Sequence, residues 1–320
     1  GGLMPDLAVV IVNWNTCQLT LDALGSLFAD LGANGPAATV YVVDNASTDG
    51  SVGAIRAQFP QVELIASDRN LGFGGGNNHA LRHIGFGEAS PPPDLPRAVY
   101  LLNSDTITQP GATRTLYDAL LADPRLGLVG ARLTYGDGSF QHGAFAFPGL
   151  RQLWAEFFPT PGRWIEGRFN GRYPRAWYES GQPFRVDFTL GATMMLRREV
   201  IQQTGMFDEA FFMYCEEIDW AWRIRRAGWE IACVPAAHVV HLAGQSTAQV
   251  RPQSVINLWR SRLLLFERYY PRWKRTLARW LVVAGMRRQI ARAQADNSLS
   301  ADDRQAIIDA YRQVERLART

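Results

Sequence analysis

The 320-residue sequence predicts an α/β fold with a mostly parallel central sheet, followed by C-terminal helices. Three observations carry this. Short, continuous apolar runs alternate with amphipathic segments through the first hundred residues, as in βαβ units whose strands are covered on both faces. A polar cluster rich in Asn and Asp follows each run. The last seventy residues replace both patterns with a basic, aromatic and helical one.

The apolar runs Ala8–Val12, Thr39–Val43, Val62–Ala66 and Ala98–Leu102 are expected as strands. Between the first two, Leu21, Leu24, Leu27, Phe28 and Leu31 fall at helical spacing, and Gly32 is placed to end that helix. Helices are expected over Ser51–Phe59 and Asn77–Ile84, and Pro91, Pro92, Pro93 and Pro96 mark a surface loop before the fourth strand. From about Thr134 to Arg185 the chain is rich in Gly, Pro and aromatics with little periodicity, which predicts irregular structure packing on or lidding a site. Val186–Leu196 reads as a strand, Glu216–Ala227 as a helix stopped by Gly228, and Ile231–Val234 with His238–His241 as a last strand region. Ser300 as N-cap and Asp303 in the first turn open a terminal helix.

Composition excludes several classes. With 47% hydrophobic and 20% charged residues the chain is neither disordered, collagenous nor coiled-coil. A net charge of +3 makes no case for a nucleic-acid partner. Cys17, Cys215 and Cys233 are odd in number and lack metal-ligand spacing, so they read as reduced thiols of a cytoplasmic protein. No apolar run approaches the roughly 20 residues of a spanning helix, and no secretory leader is expected. The charge is unevenly spread. Residues 260–292 carry ten Lys/Arg against the single acid Glu267, whereas the rest of the chain sums to −6. With Leu263, Phe266, Trp273 and Trp280 this segment reads either as a helical appendage packing on the rest or as a basic, aromatic helix drawn to an anionic membrane surface.

In open parallel sheets ligands bind beyond the carboxyl ends of the strands. There lie Asn13-Trp14-Asn15-Thr16, then Asp44 to Gly50, then Asp68 to Asn78 with Gly72, Gly74, Gly75 and Gly76, then Asn103-Ser104-Asp105. Asn and Asp also make turns and caps, but turn chemistry alone accounts poorly for four successive strand ends furnished this way. The glycines follow the third strand rather than the first, so the dinucleotide fingerprint is absent, as is a P-loop. They would let backbone approach a diphosphate, or form a merely flexible loop. Asp105 is a candidate ligand for a hard cation, with His241 as a further one. Glu216, Glu217 and Asp219 open a helix after the aromatic run Phe211 to Tyr214. Acids there cap a helix, and crowded carboxylates beside aromatic surface also make a tuned general base. Asp219 is expected to pair with Arg223 at i+4.

Taken in order, these motifs resemble the family 2 glycosyltransferases with the GT-A fold, over roughly Leu7 to Thr247. Val9 to Asn15 resembles the family's opening strand. Val42 to Gly50 resembles its second, with Asp44 in the place of the aspartate that contacts the nucleotide base. Asn70, Gly72 and Asn77 fit its N-x-G…N loop, and Asn103-Ser104-Asp105 occupies the D-x-D place. Glu216-Glu217 stands where the family has an E-D pair whose second acid is the base. His241 to Ser246 resembles the H-x-x-G-x-S segment whose histidine can ligate the metal. Leu101 to Asp105, Gly191 to Met195 and Gly205 to Glu209 together look most like the rhamnosyltransferase branch, similar to enzymes building cell-surface polysaccharide from dTDP-rhamnose.

The resemblance implies an inverting transfer, dependent on Mg²⁺ or Mn²⁺, from a dTDP- or UDP-sugar to a glycan or lipid-linked acceptor. Glu217 would be the catalytic base. Asn13, Asn15, Asp44, Asn70, Gly72, Asn77, Asn103, Ser104 and Asp105 would bind the donor, and Asp105 and His241 the metal. Gly191, Ala192 and Glu216 would lie on the acceptor side. It also implies a catalytic domain over 1–250, with a nucleotide-binding half (1–105) and an acceptor half (106–250), and a separate helical region over 251–320. The expected location is the cytoplasm, peripheral on the inner face of the cell membrane. Two departures stand out: Asn103 replaces the first Asp of D-x-D, and Glu217 replaces the usual Asp of the base. Two other readings stay open. A sugar nucleotidyltransferase would want a Gly-rich, basic turn after the first strand, where this chain has Asn-Trp-Asn. A non-catalytic nucleotide-sugar-binding module is suggested by Asn103.

Overall fold

The computed structural model describes residues 6–242 and 251–320, so the expected motif beyond Leu242 lies outside the described residues. The elements in order are β1 (Leu7–Asn13), α1 (Cys17–Asn34), β2 (Ala38–Asp44), α2 (Ser51–Gln58), β3 (Glu63–Ala66), α3 (Gly72–Ile84), β4 (Ala98–Asn103), β5 (Thr106–Thr108), α4 (Ala112–Ala122) and β6 (Leu126–Thr134). Then come β7 (Phe140–Gln141), β8 (Ala144–Phe145), α5 (Leu150–Phe157), α6 (Gly162–Ile165), α7 (Arg175–Glu179), β9 (Phe184–Val186), β10 (Phe188–Thr189), β11 (Thr193–Arg197) and α8 (Arg198–Thr204). The last are α9 (Glu216–Arg226), β12 (Glu230–His241), α10 (Arg251–Tyr269), α11 (Arg272–Ala295) and α12 (Ala301–Arg319). Two compact units result. One comprises Gly1–Phe145, Pro174–Ala210 and Glu217–Ser246; the other comprises Ala146–Tyr173, Phe211–Glu216 and Thr247–Thr320.

The first unit is built on a sheet of order β3-β2-β1-β4-β11-β6-β12-β5, with β7 on β6 and β9 on β12. β3, β2, β1 and β4 are parallel, and β6 and β12 are parallel, while β11 runs antiparallel between β4 and β6. β1 and β4 are continuous apolar runs because both their faces are covered, whereas β3 at the sheet edge is exposed at both ends. Val9, Ile11, Val42 and Tyr100 share one buried cluster with Leu24 and Leu27 of α1 and Leu116 of α4. The carboxyl ends of β1, β2 and β4 therefore open side by side.

Several elements differ from expectation. α1 runs through Gly32 and stops at Gly35, whose N–H caps the Leu31 carbonyl. α3 begins at Gly72 rather than Asn77, so the glycine run is its first turn and not a loop. The reason is close packing: a Cβ on Gly76 would fall 2.8 Å from Val12 Cγ1, and only glycine lets the helix lie that close to β1. The expected strand Val186–Leu196 is broken into β9, β10 and β11, and the expected irregular stretch contains α5, α6 and α7. β12 is one strand with a register shift between Val234 and His238, where Pro235 removes a ladder donor.

The second unit is helical. Phe157 of α5 stacks on Trp259 of α10 with ring centroids 5.0 Å apart, in a core with Phe266, Val282, Met286 and Val314. Gly285 of α11 lies directly on the Phe157 ring, closer than any Cβ would permit. Ser300 caps α12, accepting from the Asp303 N–H at 3.1 Å. Among the described residues no helix is long and apolar enough to cross a membrane.

Candidate active site

Asn13 ties the strand ends together. Its amide donates to Asp44 Oδ1 (2.7 Å) and Ser47 Oγ (3.1 Å), and its oxygen accepts from Thr16 and Thr20 (both 2.8 Å). Those four bonds exhaust the side chain's donors and lone pairs, and the residue is wholly buried. Asn13 thus braces the site rather than offering a contact to a ligand. Asp44 is also buried; its second oxygen accepts from the Ser47 N–H at 2.9 Å. Asn15 is exposed, holds a left-handed backbone (φ 51°), and accepts from the Thr48 N–H at 2.8 Å. Ser104 Oγ lies 3.3 Å from Thr16 Oγ1, joining the end of β4 to this network.

The start of α3 is fixed on the same side. Asn70 Oδ1 accepts from the Gly72 N–H at 2.9 Å, and Gly72, at φ 73°, gives its carbonyl to Asn45 Nδ2 at 3.0 Å. Asn77 is turned back on its own helix, donating to the Phe73 carbonyl at 3.0 Å. The long-range work falls to its neighbour Asn78, which donates to the Phe207 carbonyl (2.8 Å) and accepts from the Phe207 N–H (3.0 Å). That pair fastens the Gly205 to Glu209 segment to α3.

Asp105 follows β4, and β5 carries the chain back alongside β12, placing Thr106 opposite His241. His241 Nε2 then sits 3.4 Å from Asp105 Oδ1, both side chains largely buried. The other ring nitrogen, Nδ1, meets the Gln141 amide, with Nε2 at 3.1 Å and Oε1 at 3.3 Å. Two ligands about 2.1 Å from one cation and at right angles lie about 3 Å apart, so an oxygen and an imidazole nitrogen at this spacing fit a shared divalent ion. Among the described residues no group of three or more His, Cys, Asp or Glu is gathered for a metal. Two protein donors suffice for a cation that also holds a diphosphate. Asn103 and Ser104 are half-buried beside them, and the Asn103 N–H donates to the Ala192 carbonyl at 3.0 Å.

That bond brings the Gly191–Ala192 turn against the end of β4. On its other side, a Cβ on Gly191 would lie 3.6 Å from the Phe73 ring and 4.0 Å from Glu217 Cβ. Glu217 opens α9 with Glu216, which is buried. Burial pushes the Glu217 carboxyl from 4.5 up to about 7, against its own backbone N–H and that of Ile218, which favour the ionised form. The chain enters α9 through two successive non-glycine residues in the left-handed region, Tyr214 (φ 68°) and Cys215 (φ 65°). Such strain persists only where surrounding structure imposes it. Phe207 packs edge-on against Trp220 of α9 (4.7 Å) and, tilted, against Phe73 (5.6 Å), the ring that also approaches Gly191. Asp219 pairs with Arg223 at 2.9 Å, as its i+4 spacing implies, and stays out of the cluster. Gln141 carried no signal in the sequence, and Phe73 and Asn78 stood in the Asp68–Asn78 cluster without a role of their own, because each acts through a partner far away along the chain.

The family model described as glycosyltransferase like family 2 matches residues 5–255. A curated relative, the N-acetylglucosaminyl-diphospho-decaprenol L-rhamnosyltransferase of Mycobacterium tuberculosis, is 30% identical over 247 residues, covering 76% of this chain and 78% of its own. The low-salt glycan biosynthesis hexosyltransferase Agl10 of Haloferax volcanii is 25% identical over 257 residues, 79% of this chain and 71% of that one. Among solved structures, a mannosyltransferase from Pyrobaculum calidifontis, held with GDP-Man and Mn²⁺, aligns over 99% of this chain and 85% of its own with a TM-score of 0.55 and 20% identity, a likeness of GT-A fold. Matched by the family model over most of its length, and by a relative over three quarters of it, the chain belongs to glycosyltransferase family 2.

Proposed function

We propose that the chain transfers a sugar, with inversion, from a nucleoside-diphosphate donor to a glycan or lipid-linked acceptor in cell-surface polysaccharide synthesis. One observation carries this reading. The Gly191–Ala192 turn touches Asn103 on one side and approaches Glu217 on the other, so the strand end that would hold a cation and a carboxyl pushed up to about 7 lie on either side of one turn. Rhamnose from dTDP-rhamnose is the proposed donor group, and a lipid diphosphate the proposed acceptor. The rhamnosyltransferase relative and the decaprenol-linked substrate in its name support both.

In this reading the donor's nucleotide lies over the ends of β1 and β2. Asp44 keeps a lone pair on each oxygen for the base, and exposed Asn15 borders the ribose. Asn70 and Gly72 hold the start of α3 beside it, with Asn77 stiffening its first turns. Asp105 and His241 would hold Mg²⁺ or Mn²⁺, with Ser104 and the neutral Asn103 beside them. Such an ion, when bound, neutralises charge on the leaving diphosphate. The acceptor hydroxyl, entering past Gly191, Ala192 and Glu216, attacks the anomeric carbon as Glu217 takes its proton. The new glycosidic bond forms as the bond to the diphosphate oxygen breaks, and the nucleoside diphosphate leaves. Single displacement inverts the anomeric configuration.

The test is nucleoside-diphosphate release from dTDP-rhamnose and from UDP-sugars, with and without Mn²⁺ and a prenyl-diphosphate-linked acceptor, and NMR of the product's anomeric proton. Acceptor-dependent release with inversion supports the reading. Condensation of a sugar phosphate with a nucleoside triphosphate, or binding without turnover, overturns it in favour of a nucleotidyltransferase or a binding module.

A further inference from the structure

α11 presents two unlike faces. Ala278, Val282, Gly285 and Met286 are buried in the helical core. On the opposite face Trp273, Leu277 and Trp280 recur at steps of four and three, continuing to exposed Ala284. Trp273 is 65% exposed, Leu277 45% and Trp280 75%. Single exposed apolar residues need no explanation, but two tryptophans and a leucine in one stripe form a patch. The helix also carries seven cations and no acid. Its acidic partners are borrowed: Arg275 and Arg279 pair with Glu267 of α10, and Arg287 with Glu315 of α12. Arg272 lies exposed at one end of the stripe, and Arg288 and Arg292 at the other. Beside Trp280 a groove of about 510 Å³ has an apolar floor of Val283, Ala284 and Ala318, with Arg279, Arg287 and Arg319 around it.

We propose that this face of α11 docks on an anionic lipid bilayer, with Trp273, Leu277 and Trp280 seated at the headgroup boundary and the arginines on lipid phosphates. Indole rings favour that boundary, where one end is apolar and the other wet. A second copy of the chain is a poor occupant, because a two-fold contact through this stripe would bring the exposed Arg272, Arg288 and Arg292 of one copy up to those of the other. The helix cannot insert across the membrane, since its buried face is committed to the core. This docking requires no lipid acceptor.

The experiment uses the full chain with vesicles of phosphatidylcholine alone or mixed with phosphatidylglycerol, at low and high ionic strength. Co-sedimentation with the anionic vesicles only, fading with salt, is expected. Trp273→Ala/Trp280→Ala should weaken it at least about tenfold. Arg288→Glu/Arg292→Glu should weaken it at least about 25-fold, since each cation near such a surface contributes about fivefold. Both pairs are exposed, so the melting transition should stay put, and Leu277→Asp serves if either pair unfolds the chain. Equal binding to neutral and anionic vesicles, no binding to either, or variants that bind like wild type would each overturn the proposal. Sedimentation velocity gives a further check: a dimer abolished by the tryptophan changes would assign the face to a second copy instead.

Discussion

Asp105 and His241, 136 residues apart in the sequence, meet with Oδ1 3.4 Å from Nε2, and Gln141 holds the other side of the imidazole. The Gln141 amide can present either its nitrogen or its oxygen to Nδ1. Only the oxygen, accepting from Nδ1–H, leaves the Nε2 lone pair for a cation.

Gln141→Leu is therefore expected to weaken Mn²⁺ binding in the presence of nucleoside diphosphate by about 10–100-fold. Gln141→Glu should retain most of the affinity, because a carboxylate also accepts from Nδ1–H. Asp105→Ala should remove the Mn²⁺ dependence of diphosphate binding altogether. Electron paramagnetic resonance of free Mn²⁺ measures all three.

Glu217→Gln should lower kcat by about 10²–10⁴-fold with KM little changed, the mark of a group needed only as the proton moves. The wild-type kcat should rise with pH through about 7, where the Glu217 carboxyl ionises, and then level off. A pH profile of kcat for both proteins checks this.

The same shift predicts a stability signature of known sign. The Glu217 carboxyl titrates higher folded (about 7) than unfolded (4.5), so its contribution is full below 4.5 and is lost as pH rises through about 7. Glu217→Gln should then raise Tm relative to wild type at pH 8 and leave it alike at pH 4. A Tm gain equal at both pH values would show that packing, not ionisation, is responsible.

Glycines in two helices should respond oppositely to alanine. At Gly76 a Cβ would meet Val12 Cγ1 at 2.8 Å, so Gly76→Ala should cost about 1–3 kcal/mol by overpacking. At Gly53 of α2 nothing lies within 4 Å, so Gly53→Ala should stabilise by about 1 kcal/mol through helix propensity. Urea unfolding of both variants separates the cases.

The contrast at Gly76 also shows where sequence reading stops. β1, β2 and β4 were legible because covered strands are unbroken apolar runs, β3 from its short apolar stretch alone, and the Asn/Asp clusters because such residues crowd all four strand ends. The start of α3 was hidden. Five residues containing four glycines look like a loop until Val12, on another element, makes the missing side chains necessary. Gln141 was hidden for a related reason: β7 is two residues long, too short for any period, and its role appears only when β6 brings it beside β12. The approach of Glu217 to Gly191 is likewise a product of tertiary packing.

The contact between Phe157 and Gly285 bears on how the chain is made. Phe157 and Leu153 leave the ribosome more than a hundred residues before Val282, Gly285 and Met286, the residues of α11 that pack over them. At about 5–20 residues per second, those apolar groups wait several seconds or longer in a nascent chain that has no core to offer them. Translation arrested within α11 would release a polypeptide with a sticky, half-built helical unit. Bringing the partners together sooner in synthesis, by circular permutation, should raise soluble yield while keeping the contact of Phe157 with Gly285.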